Sequence, residues 1–488
     1  MRKVIYALFL LVYLLLPSLL IAQETLSLQE CRNLALKNSK AILISQEKIK
    51  AAQYNQKAAS TAFLPSVSAS GAYVRNQKEL SLLSDNAKDG IQNLGPIAQS
   101  KFYEMSEVLG KDNPVIKDAL QQLGNNASTQ LGAIGESILD AVRTDTRNIY
   151  FGQVTLVQPL YMGGKIRAYN KITKFAENIA KELNSLESQD VILSIDQTYW
   201  MVISLVNKQR MAESYLKLLN NLESDVQHLI DEGVATKADG LAIKVKVNEA
   251  EMILTKVNDG LALSRMLLCQ LCGLEITTPI TLTDEKMENF PTTPTDTHFN
   301  LEAVYQNRPE IKSLMYGTKI FNEKININRA AYLPEVALIG NYMVTNPAMF
   351  NGFENRFRGN WNIGVAVKVP LLNWGKNIYK TRAAKVEAKI SEYELLEAKE
   401  KIELQVNQSA FKMNEAAKKL AMTEKNMERA QENLDYATYG FEEGVIPANT
   451  VLEAHTNWLS AQSDKIDAQL DVKLTLVYFQ KATGTLIY

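Results

Sequence analysis

Residue types that commonly carry chemistry are few and scattered in this sequence. Two cysteines, Cys269 and Cys272, have the C-x-x-C spacing of redox and metal sites. They lie in an apolar stretch without a second cysteine pair or a nearby histidine, which favours a buried structural role. The three histidines are too widely separated for a recognisable zinc site: His228, His298 and His455. We therefore predict neither a metal site nor a cofactor.

Motifs of the common enzyme classes are also missing from the sequence. It contains neither a phosphate-binding loop nor a G-x-S-x-G nucleophile motif. The 53 basic and 54 acidic residues give a formal net charge of -1, so the composition gives no support for nucleic-acid binding. These observations predict a protein that is not an enzyme and does not bind nucleic acid.

A Glu-Gly-Val tripeptide occurs twice, at 232–234 and at 443–445, with an offset of 211 residues. Each copy follows a long run without glycine or proline, at 165–232 and at 376–439. Because glycine readily adopts the left-handed conformation that ends a helix, each tripeptide predicts a tight turn between two helices. The resulting helix hairpins span 165–272 and 376–483.

Apolar side chains recur every seven residues along both long runs. In the first run they are Ile172, Ile179, Leu186, Leu193 and Trp200. In the second run they are Val406, Met413, Leu420, Met427, Leu434 and Phe441. A seven-residue repeat places these side chains on one helix face, as in a coiled coil. We therefore predict long antiparallel coiled-coil hairpins in which these residues form the packing seams.

Further sequence matches indicate an internal two-fold repeat. The Pro-Leu pair at 159–160 matches the pair at 370–371, again at an offset of 211. The Leu-Pro pair at 64–65 matches the pair at 333–334 at an offset of 269, which implies an insertion in the first half, at about 76–147. The predicted parts are a first repeat at 23–273, a connector at 274–298 and a second repeat at 299–488.

Short segments of alternating polarity precede each helix hairpin. In residues 361–369, large apolar side chains alternate with polar or small ones, so one face would contact lipid and the other water. A length of about ten residues suits a tilted strand that crosses a bilayer. The alternation predicts four strands, at about 64–75, 149–160, 333–345 and 360–371. A soluble β-sandwich is the alternative interpretation of these strands.

Four strands are too few to close a barrel in a membrane, where about eight are the practical minimum. Since open sheet edges are not tolerated in lipid, several chains would have to share one barrel. The predicted fold class is therefore mainly α-helical, with four strands in each chain that contribute to a shared membrane β-barrel.

The N-terminal residues have the features of a cleavable secretory signal. Arg2 and Lys3 precede an apolar segment at 4–16, and Ala22 stands at the expected cleavage site. The apolar segment is shorter than the roughly 20 residues that a spanning helix needs. We therefore predict a signal peptide at 1–22 and export of the rest of the chain, with an N-terminal membrane anchor as the alternative.

In combination, these motifs resemble those of the TolC-like outer membrane efflux proteins, also called outer membrane factors. The resemblance rests on the strand-to-helix junction at Gln158–Lys165, the Leu333-Pro334 strand entry and the Glu-Gly-Val turns, and it covers about 26–486. It implies a homotrimer with a shared twelve-stranded barrel in outer-membrane lipid and a helical tunnel that extends into the periplasm. It further implies the channel of a tripartite efflux or type I secretion system, working with a periplasmic adaptor and an inner-membrane transporter.

The same resemblance suggests roles for residues near the two turns. The turns carry adaptor-docking sequences in the family, and the matching residues here are Gly233, Val234, Gly444 and Val445. Acidic residues just after the turns line the periplasmic constriction in relatives, so the gate candidates here are Asp239 and Glu453. Three-fold symmetry would repeat these carboxylates as a ring that favours cations. The alternative for each carboxylate is an ordinary exposed position on a helix.

Several questions stay open at the level of sequence. The alternative to an export channel is a periplasmic coiled-coil adaptor or structural protein. The insertion at 76–147 would be a long external loop that caps the pore or binds outside partners, or a family-variable segment without a dedicated role. No motif identifies the exported substrate or separates drug efflux from protein secretion.

Overall fold

The computed structural model describes residues 24–77, 83–111, 113–142, 145–287, 297–348, 350 and 354–486. The predicted signal peptide at 1–22 lies outside them. The helices are α1 (Leu28–Asn38), α2 (Lys40–Ser60), α3 (Asp85–Gln92), α4 (Leu94–Leu109), α5 (Pro114–Val142), α6 (Lys165–Asp231), α7 (Lys237–Cys272), α8 (Leu301–Asn307), α9 (Pro309–Ala330), α10 (Lys376–Glu442) and α11 (Ala448–Thr483). The strands are β1 (Glu24–Leu26), β2 (Ser66–Arg75), β3 (Asn148–Met162), β4 (Ile280–Leu282), β5 (Glu335–Asn346) and β6 (Arg358–Lys368).

The prediction of a mainly helical chain with a few strands is confirmed. Among the described residues, no helix combines the length and the apolar composition that crossing a bilayer would require. The described residues divide into two compact units. The helical unit comprises residues up to 57, 169–325 and from 381 onwards, and the strand-containing unit comprises 58–168 and 326–380.

The first core of the helical unit surrounds the middle of α6. Ile195, Tyr199 and Ile203 are fully buried there, and the packing comes from α1, α7, α11 and the short β1–β4 pair. Cys269 and Cys272 of α7 are fully buried in the same core. Burial raises the pKa of the Cys269 thiol. At Cys272, a hydrogen bond with Cys31 and then burial raise the pKa, so both thiols stay protonated. The structural interpretation of the C-x-x-C pair is confirmed.

The burial pattern of α6 corrects part of the heptad prediction. Among the predicted seam residues, those at 172, 179, 186 and 193 are only half-buried, whereas Ile192 is fully buried. Several elements cover the middle of α6, so more than one of its faces becomes apolar core. A single seven-residue stripe therefore underestimates what this helix buries.

The seam predicted on α10 is largely confirmed. Four of its six apolar positions are buried: Val406, Met413, Leu420 and Leu434. The other two, Met427 and Phe441, are half-buried. Ala416 and Ala437 are also buried along this helix, so large and small side chains both contribute to the packed face.

A second core of the helical unit joins the two hairpins close to their turns. It contains Leu219 and Val226 of α6, Ile243 of α7, Leu434 of α10 and Val451 of α11. All four long helices therefore contribute apolar side chains to one cluster, which fixes the two turns relative to each other.

The strand-containing unit holds an antiparallel sheet of four strands in the order β2-β3-β5-β6. The β2–β3 pairing runs from Ser66 opposite Val157 to Arg75 opposite Asn148. The β3–β5 register shifts between Pro159 and Tyr161, at a proline that has no N–H to donate to the ladder. Since β2 and β6 end the order, each has one backbone edge that no strand among the described residues pairs with.

The insertion between β2 and β3 is helical, whereas its external position stays a prediction. Its described residues form α3, α4 and α5, which pack on one another. Its many glycines and polar residues therefore lie within helices rather than turns. The connector at 274–298 contains β4 and a short 3-10 helix at Thr283–Lys286, and its residues 288–296 lie outside the described part of the chain.

Replacing Leu219 by alanine tests the core that joins the hairpins. Leu219 is fully buried, whereas the adjacent Leu218 is 38% exposed. We expect Leu219→Ala to lower the free energy of unfolding by about 2–5 kcal/mol, because it leaves a cavity. Leu218→Ala should cost about 0.5 kcal/mol or less. Thermal unfolding followed by circular dichroism measures both, and equal effects of the two changes would contradict this packing.

Candidate functional site at the helix turns

The turn between α6 and α7 is a Schellman motif built on Gly233. Gly233 has a φ of +77°, in the left-handed region that favours glycine. Its N–H donates to the carbonyl oxygen of Ile230 at 3.1 Å, and the Val234 N–H donates to that of Leu229 at 2.8 Å. These bonds satisfy carbonyl groups that the helix end would otherwise leave unpaired.

The turn between α10 and α11 repeats this geometry around Gly444. Gly444 has a φ of +75°. Its N–H donates to the carbonyl oxygen of Phe441 at 2.9 Å, and the Val445 N–H donates to that of Gly440 at 2.8 Å. The two Glu-Gly-Val tripeptides therefore code for the same backbone reversal, as their sequence identity predicted.

Both turns present an apolar side chain to solvent. Val234 is 74% exposed and Val445 is 80% exposed. A Cβ atom added at Gly233 or Gly444 would meet no atom within 4 Å, so the turn surface is open on that side. The turns are thus exposed, rigidly hydrogen-bonded and flanked by an acidic residue at Glu232 or at Glu443.

The structure gives Asp239 a role in helix capping. Thr236 is the N-cap of α7, and its hydroxyl accepts a hydrogen bond from the Asp239 N–H. The Asp239 carboxylate accepts from the Thr236 hydroxyl at 2.7 Å and from the Thr236 N–H at 3.0 Å. Both bonds lower the pKa of the Asp239 carboxyl group. The bond from the Thr236 hydroxyl has the larger effect, and the bond from the Thr236 N–H has the smaller one. At neutral pH the carboxylate is therefore ionised and held against the turn.

The second turn does not reproduce this capping box. Pro447 occupies the N-cap position of α11 and supplies no side-chain acceptor. Thr450 stands at the position equivalent to Asp239, and Glu453 follows as an exposed side chain between the buried Leu452 and Ala454. The two gate candidates consequently occupy different positions in the two hairpins and differ in their hydrogen bonding.

A cavity that the sequence did not predict lies between α6, α10 and α11, next to the turns. Its volume is about 910 Å³, and its walls include Asp225, His228, Tyr439, His455 and Trp458. The Trp458 indole N–H donates to Gln431 Oε1 at 2.6 Å and so fixes one wall. Mixed aromatic and acidic walls give this cavity an amphipathic character.

His455 is the most unusual side chain in that cavity. It is 5% exposed, and its ring centroid lies 6.4 Å from that of Tyr215. Its Nδ1 atom makes no hydrogen bond with the described residues. Burial lowers the pKa of this histidine, so the imidazole is neutral at pH 7. The sequence contained a signal for its burial, since Val451, His455 and Trp458 follow the spacing of a helix seam.

Comparison with known proteins finds a family match in the C-terminal part of the chain. Residues 300–485 match the family described as outer membrane efflux protein. The resemblance to TolC-like proteins predicted from the sequence is confirmed, and the match indicates the outer membrane, with an extension into the periplasm.

Proteins similar to this chain cover most of its length. The alkaline protease secretion protein AprF of Pseudomonas aeruginosa is 20% identical over 356 residues, which are 69% of this chain and 72% of AprF. The outer membrane protein VceC of Vibrio cholerae superposes with a TM-score of 0.70 at 14% identity, covering 94% of this chain and 96% of VceC. The MtrE outer membrane channel of Neisseria gonorrhoeae gives a TM-score of 0.68 at 15% identity, with coverage of 94% and 88%. The structural likeness shows that they share a fold.

The capping role of Asp239 leads to a pH-dependent prediction. Because the folded-state pKa is lowered, the cap contributes fully above the ordinary aspartate pKa of about 3.9 and is lost as the pH falls through the folded value. We expect Asp239→Asn to speed amide exchange in the first turn of α7 at pH 7, and the difference from the wild type to shrink at about pH 3. Hydrogen exchange with mass spectrometry measures this.

The matched control for that experiment is Thr450→Val in the second hairpin. Thr450 occupies the equivalent position but belongs to no capping box, so its replacement should leave exchange in α11 nearly unchanged. Equal exchange in Asp239→Asn and the wild type at pH 7 would mean that the capping box does not stabilise this turn.

Proposed function

We infer that this protein is the outer-membrane channel of a tripartite efflux or type I secretion system. In this role it passes substrates from an inner-membrane transporter across the periplasm and the outer membrane. The family match over residues 300–485 and the printed descriptions of AprF as a secretion protein and of MtrE as an outer membrane channel support the inference. The observation in the chain itself that carries it is a sheet with one exposed apolar face.

The apolar face of the sheet is suited to contact with lipid. On β6, Trp361 is 71% exposed, and Ile363, Val365 and Val367 on the same face are each 59–64% exposed. Their cross-strand partners on β5 continue this face with Tyr342, Gly340, Leu338 and Val336. A row of exposed apolar side chains on one face of a strand would be costly in water and favourable in a bilayer.

The opposite face of the sheet is polar and hydrogen-bonded across strands. Gln153 of β3 donates to Asn341 of β5 at 3.0 Å, and Asn341 donates to Asn362 of β6 at 3.0 Å. Amide side chains in a row provide donors and acceptors to water. A strand with lipid on one face and water on the other is the arrangement expected for the wall of a pore.

Aromatic side chains lie at both ends of the strands. At one end, Tyr73 and Tyr150 are 5.0 Å apart between ring centroids, and Phe357 is 5.7 Å from Tyr150. Beyond the other end of β6, Trp374 is 88% exposed. An aromatic cluster at one end of the strands and an exposed tryptophan at the other, separated by apolar strand residues, are consistent with the interfacial girdles of membrane barrels.

The open edges of β2 and β6 support a shared barrel. Within one chain these edges leave backbone N–H and C=O groups unpaired, which lipid does not tolerate. Three copies joined edge to edge would pair every edge and give twelve strands. We therefore propose a homotrimer with one twelve-stranded barrel in outer-membrane lipid.

Equal helix lengths and matching contacts support the proposed two-fold repeat. Helices α6 and α10 both have 67 residues, and α7 and α11 both have 36. Both shorter helices end in a left-handed glycine, Gly273 or Gly484, next to Asn38 or Asn307 respectively. We propose repeats at 23–273 and 299–488, joined by the connector at 274–298.

The exposed turns are the proposed contact with a periplasmic adaptor, which would link the channel to the inner-membrane transporter. Val234 and Val445 supply accessible apolar surface, and Gly233 and Gly444 hold the backbone that presents them. Asp239 and Glu453 remain candidates for the periplasmic constriction, with Asp239 additionally used in its cap. Since the family is one of channel proteins, the role is proposed to be non-enzymatic.

The trimeric channel predicts a particular behaviour on extraction. The protein should need detergent to leave the membrane fraction, because the apolar face of the sheet is covered by lipid there. In a mild detergent gel it should migrate as a trimer that heating converts to a monomer of 54.6 kDa or slightly less after signal cleavage. A monomer that is released in aqueous buffer would overturn the channel and favour a periplasmic structural protein.

The adaptor-docking turn is tested by two substitutions at Gly444. Gly444→Val places a β-branched side chain in a left-handed conformation at a cost of about 1–2 kcal/mol, whereas Gly444→Asn suits that conformation. We expect the valine variant to lose export while its heat-labile trimer persists, and the asparagine variant to retain export. Export is measured by the phenotype of a deletion strain, and normal export by the valine variant counts against a role for the turn.

A further inference from the structure

Helix α5, in the insertion between β2 and β3, has one face committed to close packing inside its own unit. A Cβ atom added to Gly135 would lie 2.6 Å from the carbonyl oxygen of Ile91 in α3, and one added to Gly124 would lie 2.9 Å from Phe102 Cβ in α4. Gly95 of α4 approaches α5 equally closely, 2.6 Å from the Ser128 carbonyl oxygen. These glycines allow the helix backbones to touch, so this face of α5 is fully used.

A different face of α5 carries a second pattern with no partner in the described chain. Residues recur at alternating spacings of four and three: Ile116, Leu120, Leu123, Ala127, Gln130 and Ile134. This spacing is the a/d pattern of a coiled coil. Ile116 is 44% exposed, Leu123 53% and Ile134 52%. Leu120 and Ala127 of this row are half-buried, whereas its larger side chains at 116, 123 and 134 stay exposed in the described part of one copy. The row is therefore a coiled-coil seam that one copy leaves largely uncovered.

The charge distribution on α5 favours a protein partner over a lipid surface. The 29 residues of the helix include a single basic side chain, Lys117, and three acidic ones at 118, 136 and 140. Helices that lie on membranes combine a wide apolar face with many lysines and arginines. The α5 seam is narrow and contains Gln130, which fits a helix–helix contact better than an acyl chain.

The composition of the seam favours a partner identical to itself. Residues 119–135 contain no charged side chain, so two or three copies can approach without like-charge repulsion. Isoleucine at seam positions favours assemblies of more than two helices, and a single polar residue such as Gln130 fixes the register. The insertion also begins at the end of β2, the edge strand that would pair with a neighbouring copy.

We propose that the α5 seams of three copies pack together around the three-fold axis as a parallel helical bundle. The proposal rests on the homotrimer of the proposed function. The bundle would join the three insertions at the end of the sheet from which β2 leads into α3, opposite to the end where β3 leads into α6. The insertions of the three copies would thus contact one another across the mouth of the proposed barrel.

A second exposed row on α4 does not provide an equivalent seam. It includes Leu94, Ile97 and Met105, but Lys101 interrupts it and forms an ion pair with Glu104 at 3.0 Å. Three copies of this row at the axis would bring three ammonium groups together. The uninterrupted row on α5 is therefore the one assigned to the axis.

Cysteine scanning of α5 tests the proposal, because residues at a three-fold axis meet their own equivalents in the other copies. Single cysteines replace Ile116, Leu123 or Ile134 on the seam, and Asn125, Thr129 or Glu136 off the seam. The native cysteines at 31, 269 and 272 are buried and remain in place. Cells or detergent-solubilised trimers are treated with copper phenanthroline, which removes two electrons and two protons from each thiol pair.

The readout is the covalent dimer in denaturing, non-reducing gels. We expect at least a five-fold higher dimer yield from the three seam positions than from the three control positions. A heat-labile trimer in which seam and control positions give equal or no dimer would overturn the α5 bundle and leave the channel intact. A monomer in the mild detergent gel would overturn both. Cross-linking of seam cysteines only to a different protein would also overturn it.

Discussion

The burial of apolar seams between long helices is the interaction on which the rest of this protein depends. A single helix of 67 residues gains little from backbone hydrogen bonds alone in water, so its stability comes from the face that it packs. The core that contains Leu219, Ile243, Leu434 and Val451 draws on all four long helices. This shared core is what allows two separate hairpins to hold their turns in one fixed arrangement.

The turns convert that packing into an exposed surface, which we propose as the adaptor contact. A left-handed glycine reverses each chain within a few residues, and the hydrogen bonds of the Schellman motif satisfy the helix end without extra residues. The valine that follows is exposed because no other residue in the described part of the chain covers it. Rigid backbone and exposed apolar side chain together form a surface that a partner can bind without first having to order it.

In the sheet, side chains alternate between faces with the two-residue period of a strand, unlike the seven-residue period of the helix seams. With a period of two, each strand separates an apolar face from a polar one, and the Gln153–Asn341–Asn362 row shows how the polar face satisfies itself across strands. The apolar face and the two unpaired edges have no partner in one copy. In the proposed trimer, lipid and neighbouring copies would satisfy them, and the proposed packing of the α5 seam would extend the same principle to the insertion.

The sequence by itself determined the features that depend on neighbouring residues. Helix hairpins, turn glycines, the seam of α10 and the mainly helical fold follow from periodicity and from the conformations open to glycine and proline, which are local properties. Tertiary structure alone decided which faces are covered. It buried Ile192 rather than Leu193, turned the insertion into helices, used Asp239 as a cap and enclosed His455. How completely Ile192 and His455 are covered depends on side chains far away in the sequence, even though the helix spacing around His455 gives a local signal. The cap at Asp239 depends on which of several possible hydrogen bonds its carboxylate makes.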